Sequence, residues 1–302
     1  MHNLLRVMLI CVVAGAVSSC RERAHPVLSP LPKGRSGQAL SADGLAVHYT
    51  TFGRGEPALV FVHGWSCDSG YWKEQVPCFR DRHQVVTIDL GGHGISGTNR
   101  TDWTMEAFGK DVAAVVNDLA LTNMVLIGHS MGGAVIIEAA RLLGNRVRGL
   151  VGVDTFHDIE EFMPDDQVEA WITPLRENFS ESTRSRVREL LFKPEDDSEL
   201  ASWVAEDMAA APPPIAIDAL EKLYRYDAAA GLETLNVPVR CIDCRLYPIN
   251  VEAGSRHCTS FRVSVVPGTG HFLMLEAPDR FNRELKAVLG EFDKRDREIK
   301  DG

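Results

Sequence analysis

The sequence predicts an α/β protein, a mostly parallel sheet with helices on both faces and a helical insertion. Three observations predict it. Short β-branched runs alternate with amphipathic stretches through the first half of the chain. The alternation breaks at Phe156, and residues 156–229 show helical stretches without a convincing strand. Strand character then resumes in VPVRCID and SFRVSVVP, and PDRFNRELKAVLGEFDKR closes as an amphipathic helix with Pro278 near its start.

The elements follow in order. GLAVHYTTFG alternates and ends in glycine, as an early hairpin strand does. PALVFVHGW is a buried strand running into His63, Gly64 and Trp65, and SGYWKEQVPCF reads as a helix interrupted near Pro77. HQVVTIDL is the next strand, followed by the glycine-rich loop GGHGISG. TMEAFGKDVAAVVNDLAL is helical, with Thr104 as its cap. NMVLIGHSMGGAVIIEAA holds a strand, a turn and a helix, and RVRGLVGVDT is a further strand. Within the insertion, helical stretches lie around 167–178, 182–192, 199–209 and 217–226, split by the prolines at 212–214. A helical insertion between sheet strands reads as a cap over the strand C-terminal ends, where open α/β sheets bind ligands.

At 302 residues the chain fits one large domain with an insertion, and its 45% hydrophobic and 25% charged shares are those of a globular protein. The expected division is a core of 38–155 and 230–293, a cap of 156–229 and a tail of 294–302. A net charge of −10 argues against a nucleic-acid partner, which needs clustered Lys and Arg.

Residues 1–19 read as a secretory signal: Arg6 precedes an apolar run, Val7 to Val17, too short for a comfortable membrane span. VSSC resembles a bacterial lipobox, which implies a lipidated Cys20, a flexible tether over 20–37 and a place in the cell envelope. Membrane association is expected only through that cysteine. Cys67, Cys78, Cys241, Cys244 and Cys258 remain, an odd number, and are expected to pack or form disulfides. The Cys241–Cys244 pair lacks a second pair or a histidine spaced for zinc. No motif points to a metal, nucleotide or flavin, so no cofactor is expected.

The stretch GHSMGG places a serine between a β-branched run and a helix-forming run. Gly128 and Gly132 remove side chains where the backbone must turn sharply, so Ser130 projects from the corner. The unpaired N–H groups of the following helix, beginning at Met131, can receive negative charge. This is the layout of a nucleophile elbow.

With the upstream HGW, the loop IDLGGHGISG and the late GTGHFLMLEAPDRF, the chain resembles a capped, single-domain α/β-hydrolase over roughly residues 38–293. The resemblance implies that Ser130 is the nucleophile and His271 its base, with the N–H groups of Met131 and Trp65 forming the oxyanion hole. It also implies structural roles for His63, Asp89 and His93, while the Trp65 side chain is expected to border the pocket. The family's usual acid lies in a loop after the penultimate strand, where CIDCRLYPIN puts Tyr247. Tyrosine supplies no fixed negative charge at neutral pH. Two substitutes remain: Asp154, ending the strand after the elbow helix, and Asp243, ending the penultimate strand. Asp154 is the favoured acid.

A serine at the elbow argues against a haloalkane dehalogenase, which uses aspartate there. The expected function is a serine hydrolase that cleaves a carboxylic ester or related acyl bond of a small, apolar acyl substrate through an acyl-enzyme. Phe156, Phe162, Met163, Trp171, Phe179, Leu191, Phe192, Trp203 and Met208 are the residues from which the pocket wall would be drawn. The Tyr247 departure supports a second reading, a non-catalytic binding protein on a degenerate hydrolase scaffold. Carbon–carbon, peptide or lactone cleavage and perhaloperoxidation-like side chemistry also stay open.

Overall fold

The computed structural model describes residues 30–301. The expected signal at 1–19, Cys20 and most of the expected tether lie outside the described residues. An eight-stranded sheet runs in the order β1-β2-β4-β3-β5-β6-β7-β8. β1 (Arg35–Leu40) and β2 (Ala46–Phe52) form an antiparallel hairpin, and β2 pairs antiparallel with β4 (Val85–Asp89). From β4 onward every pairing is parallel, through β3 (Ala58–Val62), β5 (Met124–His129), β6 (Val147–Val153), β7 (Val239–Asp243) and β8 (Phe261–Val265). β3, β4 and β5 are buried at every residue, as strands covered on both faces must be. Because these strands run the same way, the chain leaves β5, β6, β7 and β8 along one edge of the sheet, and the site is built there.

Helices cover the faces. α1 (Val76–Phe79) follows a 3-10 turn at Ser69–Trp72, so Pro77 opens a second short helix where one interrupted helix was expected. α2 (Met105–Asp118) begins at Thr104, whose Oγ1 accepts from Ala107 N–H at 3.1 Å. α3 (Met131–Leu143) is buried along most of its length between α2 and the sheet.

Between β6 and β7 the chain is helical: α4 (Asp165–Glu177), α5 (Phe179–Arg186) with a π turn at Val187–Leu191, α6 (Ser198–Ala209), α7 (Pro213–Tyr224) and α8 (Ala228–Glu233). The proline run separates α6 from α7, and Pro213 starts α7 because its fixed φ suits a first helical turn. α9 (Val251–His257) and α10 (Leu273–Glu276) precede the closing α11 (Pro278–Asp301).

Two expectations need correction. β1 starts at Arg35, inside the stretch read as tether, since RSGQAL pairs along β2 without any apolar alternation of its own. The closing helix continues to Asp301, so residues 294–301 are helix rather than tail. Of the two outcomes expected for the five cysteines, packing is the one found: all are free thiols, and Cys67, Cys241 and Cys244 are buried in the core.

Candidate active site

Ser130 stands between β5 and α3 with φ +52°, a left-handed conformation that a side chain disfavours. Two glycines make the corner possible. A Cβ on Gly128 would lie 2.2 Å from Gly132 O, and one on Gly132 would lie 2.6 Å from Val62 O. Ser130 N–H donates to Val153 O at 3.0 Å, tying the corner to the end of β6. Met131 is the first residue of α3, so its N–H belongs to the unpaired group at a helix start. The His63–Gly64–Trp65 loop packs against the corner, and a side chain at Gly64 would come within 3.2 Å of Ser130 Cβ. The loop thus carries the Trp65 backbone to the same end of the sheet as Met131.

His63 is spent on that scaffold. Its Nε2 accepts from Leu90 N–H at 3.0 Å, while Nδ1 donates to Gly64 O at 2.8 Å. Asp89 accepts from Ser69 N–H and Ile95 N–H at 2.9 and 3.1 Å, and His93 Nδ1 lies 2.9 Å from Gly91 O. Burial first, and His63 second, depress the His93 pKa to about 3, so this ring is neutral. His129 Nε2 donates to His271 O at 3.0 Å, and burial with the nearby His271 ring keeps it uncharged as well.

His271 follows β8, and its Nδ1 sits 2.5 Å from Asp154 Oδ2. The peptides around it are braced by Glu276, whose carboxylate accepts from Gly270 N–H at 2.7 Å and Phe272 N–H at 3.1 Å. Burial is the main reason that Glu276 is pushed up to about 7.

Asp154 directly follows β6 with φ +45°, and its N–H donates to Ile242 O at 3.0 Å. Its other oxygen, Oδ1, accepts from Cys244 N–H at 3.3 Å and Cys244 Sγ–H at 3.0 Å. Burial opposes the charge on Asp154, but His157 and His271 outweigh it and hold the carboxyl well below the usual range. Asp243, the other candidate acid, turns away from His271: Oδ1 accepts from Arg245 N–H at 2.5 Å, and Oδ2 lies 3.1 Å from His157 Nε2.

His157 is the residue that sequence reasoning missed here. Its Nε2 lies 3.6 Å from Asp154 Oδ1 as well, so one ring faces both carboxylates. Burial would lower its pKa, yet Asp154 and Asp243 together raise it to about 9, making it a cation at neutral pH. The only sequence signal was its place three residues after Asp154. One atom each from Asp154, His157 and Asp243 fall within 4.8 Å, close enough to share a metal ion. A protonated His157 balances the two carboxylates without one.

Ser130, His271, Asp154 and His157 all line one cavity of about 320 Å³, together with Gly64, Trp65 and Met131. Trp65 does border it, held by its Nε1 donating to Ala216 O of α7 at 2.6 Å. Of the residues from which a wall was expected, Trp171, Leu191 and Met208 line the cavity. Phe156, Phe179 and Phe192 are buried in the core, and Phe162 is 70% exposed. Arg186, Leu190, Leu220, Leu223 and Tyr224 complete the helical side. Tyr247, at the family's usual acid position, lines the cavity and donates to Leu190 O at 3.1 Å.

Comparison with known proteins agrees with this architecture. The 3-oxoadipate enol-lactonase 2 of Acinetobacter baylyi is 25% identical over 264 residues, covering 84% of this chain and 96% of that protein. A pimeloyl-[acyl-carrier protein] methyl ester esterase of Nitrosomonas europaea is 25% identical over 249 residues, covering 78% and 96%. The solved thermophilic esterase of Thermogutta terrifontis superposes with a TM-score of 0.73 at 24% identity, covering 85% of this chain and 99% of that one. Residues 59–284 match the model of the alpha/beta hydrolase family. The chain therefore belongs to the alpha/beta hydrolase family and is an enzyme of that kind.

Proposed function

We propose that the protein is a serine hydrolase that cleaves a carboxylic ester, or a related acyl bond such as a lactone, through an acyl-enzyme. The observation that carries this reading is the 2.5 Å contact between His271 Nδ1 and Asp154 Oδ2 in the wall of the cavity that Ser130 also lines. With Nδ1 held by Asp154, Nε2 is the ring nitrogen left for the serine proton. Ser130 Oγ attacks the carbonyl as Nε2 takes that proton, and the alcohol leaves with it. A water molecule, deprotonated by the same nitrogen, then releases the acid and restores the serine. The N–H groups of Met131 and Trp65 are the donors for the oxyanion. Asp154 fixes the imidazole orientation and balances its positive charge.

The relatives named enol-lactonase and methyl ester esterase support acyl chemistry on ester or lactone bonds. The departure at Tyr247, which favoured a spent binding scaffold, loses its force because Asp154 stands against His271. The chain is expected to hydrolyse short p-nitrophenyl esters, and Ser130→Ala to lower kcat by about 10⁴- to 10⁶-fold. Turnover that survives Ser130→Ala contradicts the reading.

A further inference from the structure

The arginines of the helical region between β6 and β7 fall into two kinds. Arg176 pairs with Glu169 at 2.6 Å and with Glu221 at 2.7 Å. Arg184 pairs with Glu206 at 2.8 Å, and Arg225 with Glu221 at 2.9 Å and Asp165 at 3.0 Å. Arg188 faces Glu206 at 3.6 Å. Arg186 differs. It ends α5, lines the cavity that holds Ser130, and pairs with no carboxylate among the described residues.

Its guanidinium is nevertheless held in place. It stacks 5.1 Å from the Trp171 ring centroid, and Nη2 donates to Trp171 O. That bond uses one of five donors, leaving a planar fork that suits a carboxylate. Among the described residues, Asp154 is the carboxylate in the same wall, and its oxygens are already taken by His271 and Cys244. The rest of that side is apolar or aromatic: Trp171, Leu190, Leu220 and Leu223. A half-buried cation without a counter-ion is unfavourable unless a ligand supplies the charge. Burial accordingly lowers the Arg186 pKa, although the group stays charged at neutral pH.

We propose that Arg186 is the anion-recognising residue of this cavity, and that the substrate is an ester or lactone carrying a carboxylate separated from the scissile carbonyl by an apolar spacer. The spacer lies along the leucines, the carboxylate meets the guanidinium fork, and the carbonyl is left at Ser130. This rests on the hydrolase reading above and specifies its substrate class. A purely structural Arg186, tying α5 to Trp171 O, would affect charged and neutral substrates alike.

The test compares monomethyl esters of straight-chain dicarboxylic acids with methyl esters of monocarboxylic acids of the same chain length. The unmodified enzyme is expected to favour the charged ester in kcat/KM by about tenfold or more at its best length, as a charge-assisted hydrogen bond supplies. Arg186→Met is expected to erase that preference, mainly through KM, and Arg186→Lys to restore part of it. Added salt should weaken it. Equal or better turnover of the neutral ester, or a preference ratio that Arg186→Met does not move, overturns the proposal while leaving the hydrolase reading intact. If no ester is turned over and Ser130 takes up no fluorophosphonate, the hydrolase reading fails. Calorimetry with the dicarboxylates themselves then decides the site, and heat of binding that is absent or independent of Arg186 overturns it.

Discussion

β6 and β7 lie side by side, and a buried aspartate follows the one and ends the other, yet the two carboxylates have different employment. Asp154 adopts φ +45° at its strand end, and its Oδ2 meets His271 Nδ1. Asp243 spends Oδ1 on Arg245 N–H two residues on, capping its own turn, and turns Oδ2 to His157. Position at the right end of the sheet therefore does not by itself set a carboxylate against the histidine. What decides is whether the backbone beyond the strand leaves the carboxylate free to face the histidine. His157 joins the pair, placing one cation against two buried anions that would otherwise repel each other.

This difference can be broken most directly at the acids. Asp154→Asn is expected to lower kcat by about 10³- to 10⁴-fold, whereas Asp243→Asn should cost about tenfold or less. Steady-state kinetics on one ester checks both, and losses of similar size would erase the distinction. A smaller effect belongs to His157. Its folded pKa of about 9 exceeds the ordinary 6.5, so its stabilisation is complete below 6.5 and is lost as pH rises through 9. The thermal stability of the unmodified protein should fall across that window, and His157→Gln should flatten the dependence. The same variant should lower kcat by about tenfold, the scale of one nearby charge acting through Asp154. A pH profile that the substitution leaves unchanged would remove His157 from the network.

The smallest effect concerns the brace on the His271 loop. Glu276 titrates near 7 against an ordinary 4.5, so its protonated form is favoured on folding, and that contribution fades as pH rises from 4.5 through 7. Relative to Glu276→Gln, the unmodified protein should lose thermal stability between pH 5 and pH 8. Two unfolding midpoints that move in parallel would count against it.

The sheet, the elbow and His271 were legible because each is written locally. Ser130 needs Gly128 and Gly132 within a few residues, and a buried parallel strand shows as an unbroken apolar run such as ALVFV. β1 was illegible for the opposite reason: at the hairpin edge only Ala39 is fully buried, so RSGQAL has no pattern to read. The choice between Asp154 and Asp243 turned on backbone geometry beyond two strand ends, which residue identity does not reveal. The cavity wall was legible only in part. Trp171 and Phe162 look alike as large apolar residues of the insertion, but helix packing turns one to the cavity and leaves the other in solvent. Arg186 carried no mark at all, because its lack of a carboxylate partner is visible only when its neighbours' pairs are known.

The most direct test of the account is the rate at which a fluorophosphonate modifies Ser130, read as an adduct by intact and peptide mass spectrometry. The account predicts one adduct, on Ser130, formed far more slowly in Asp154→Asn and at nearly the unmodified rate in Asp243→Asn. No adduct on Ser130, or an adduct whose rate ignores Asp154, would contradict the claim that Asp154 and His271 activate this serine.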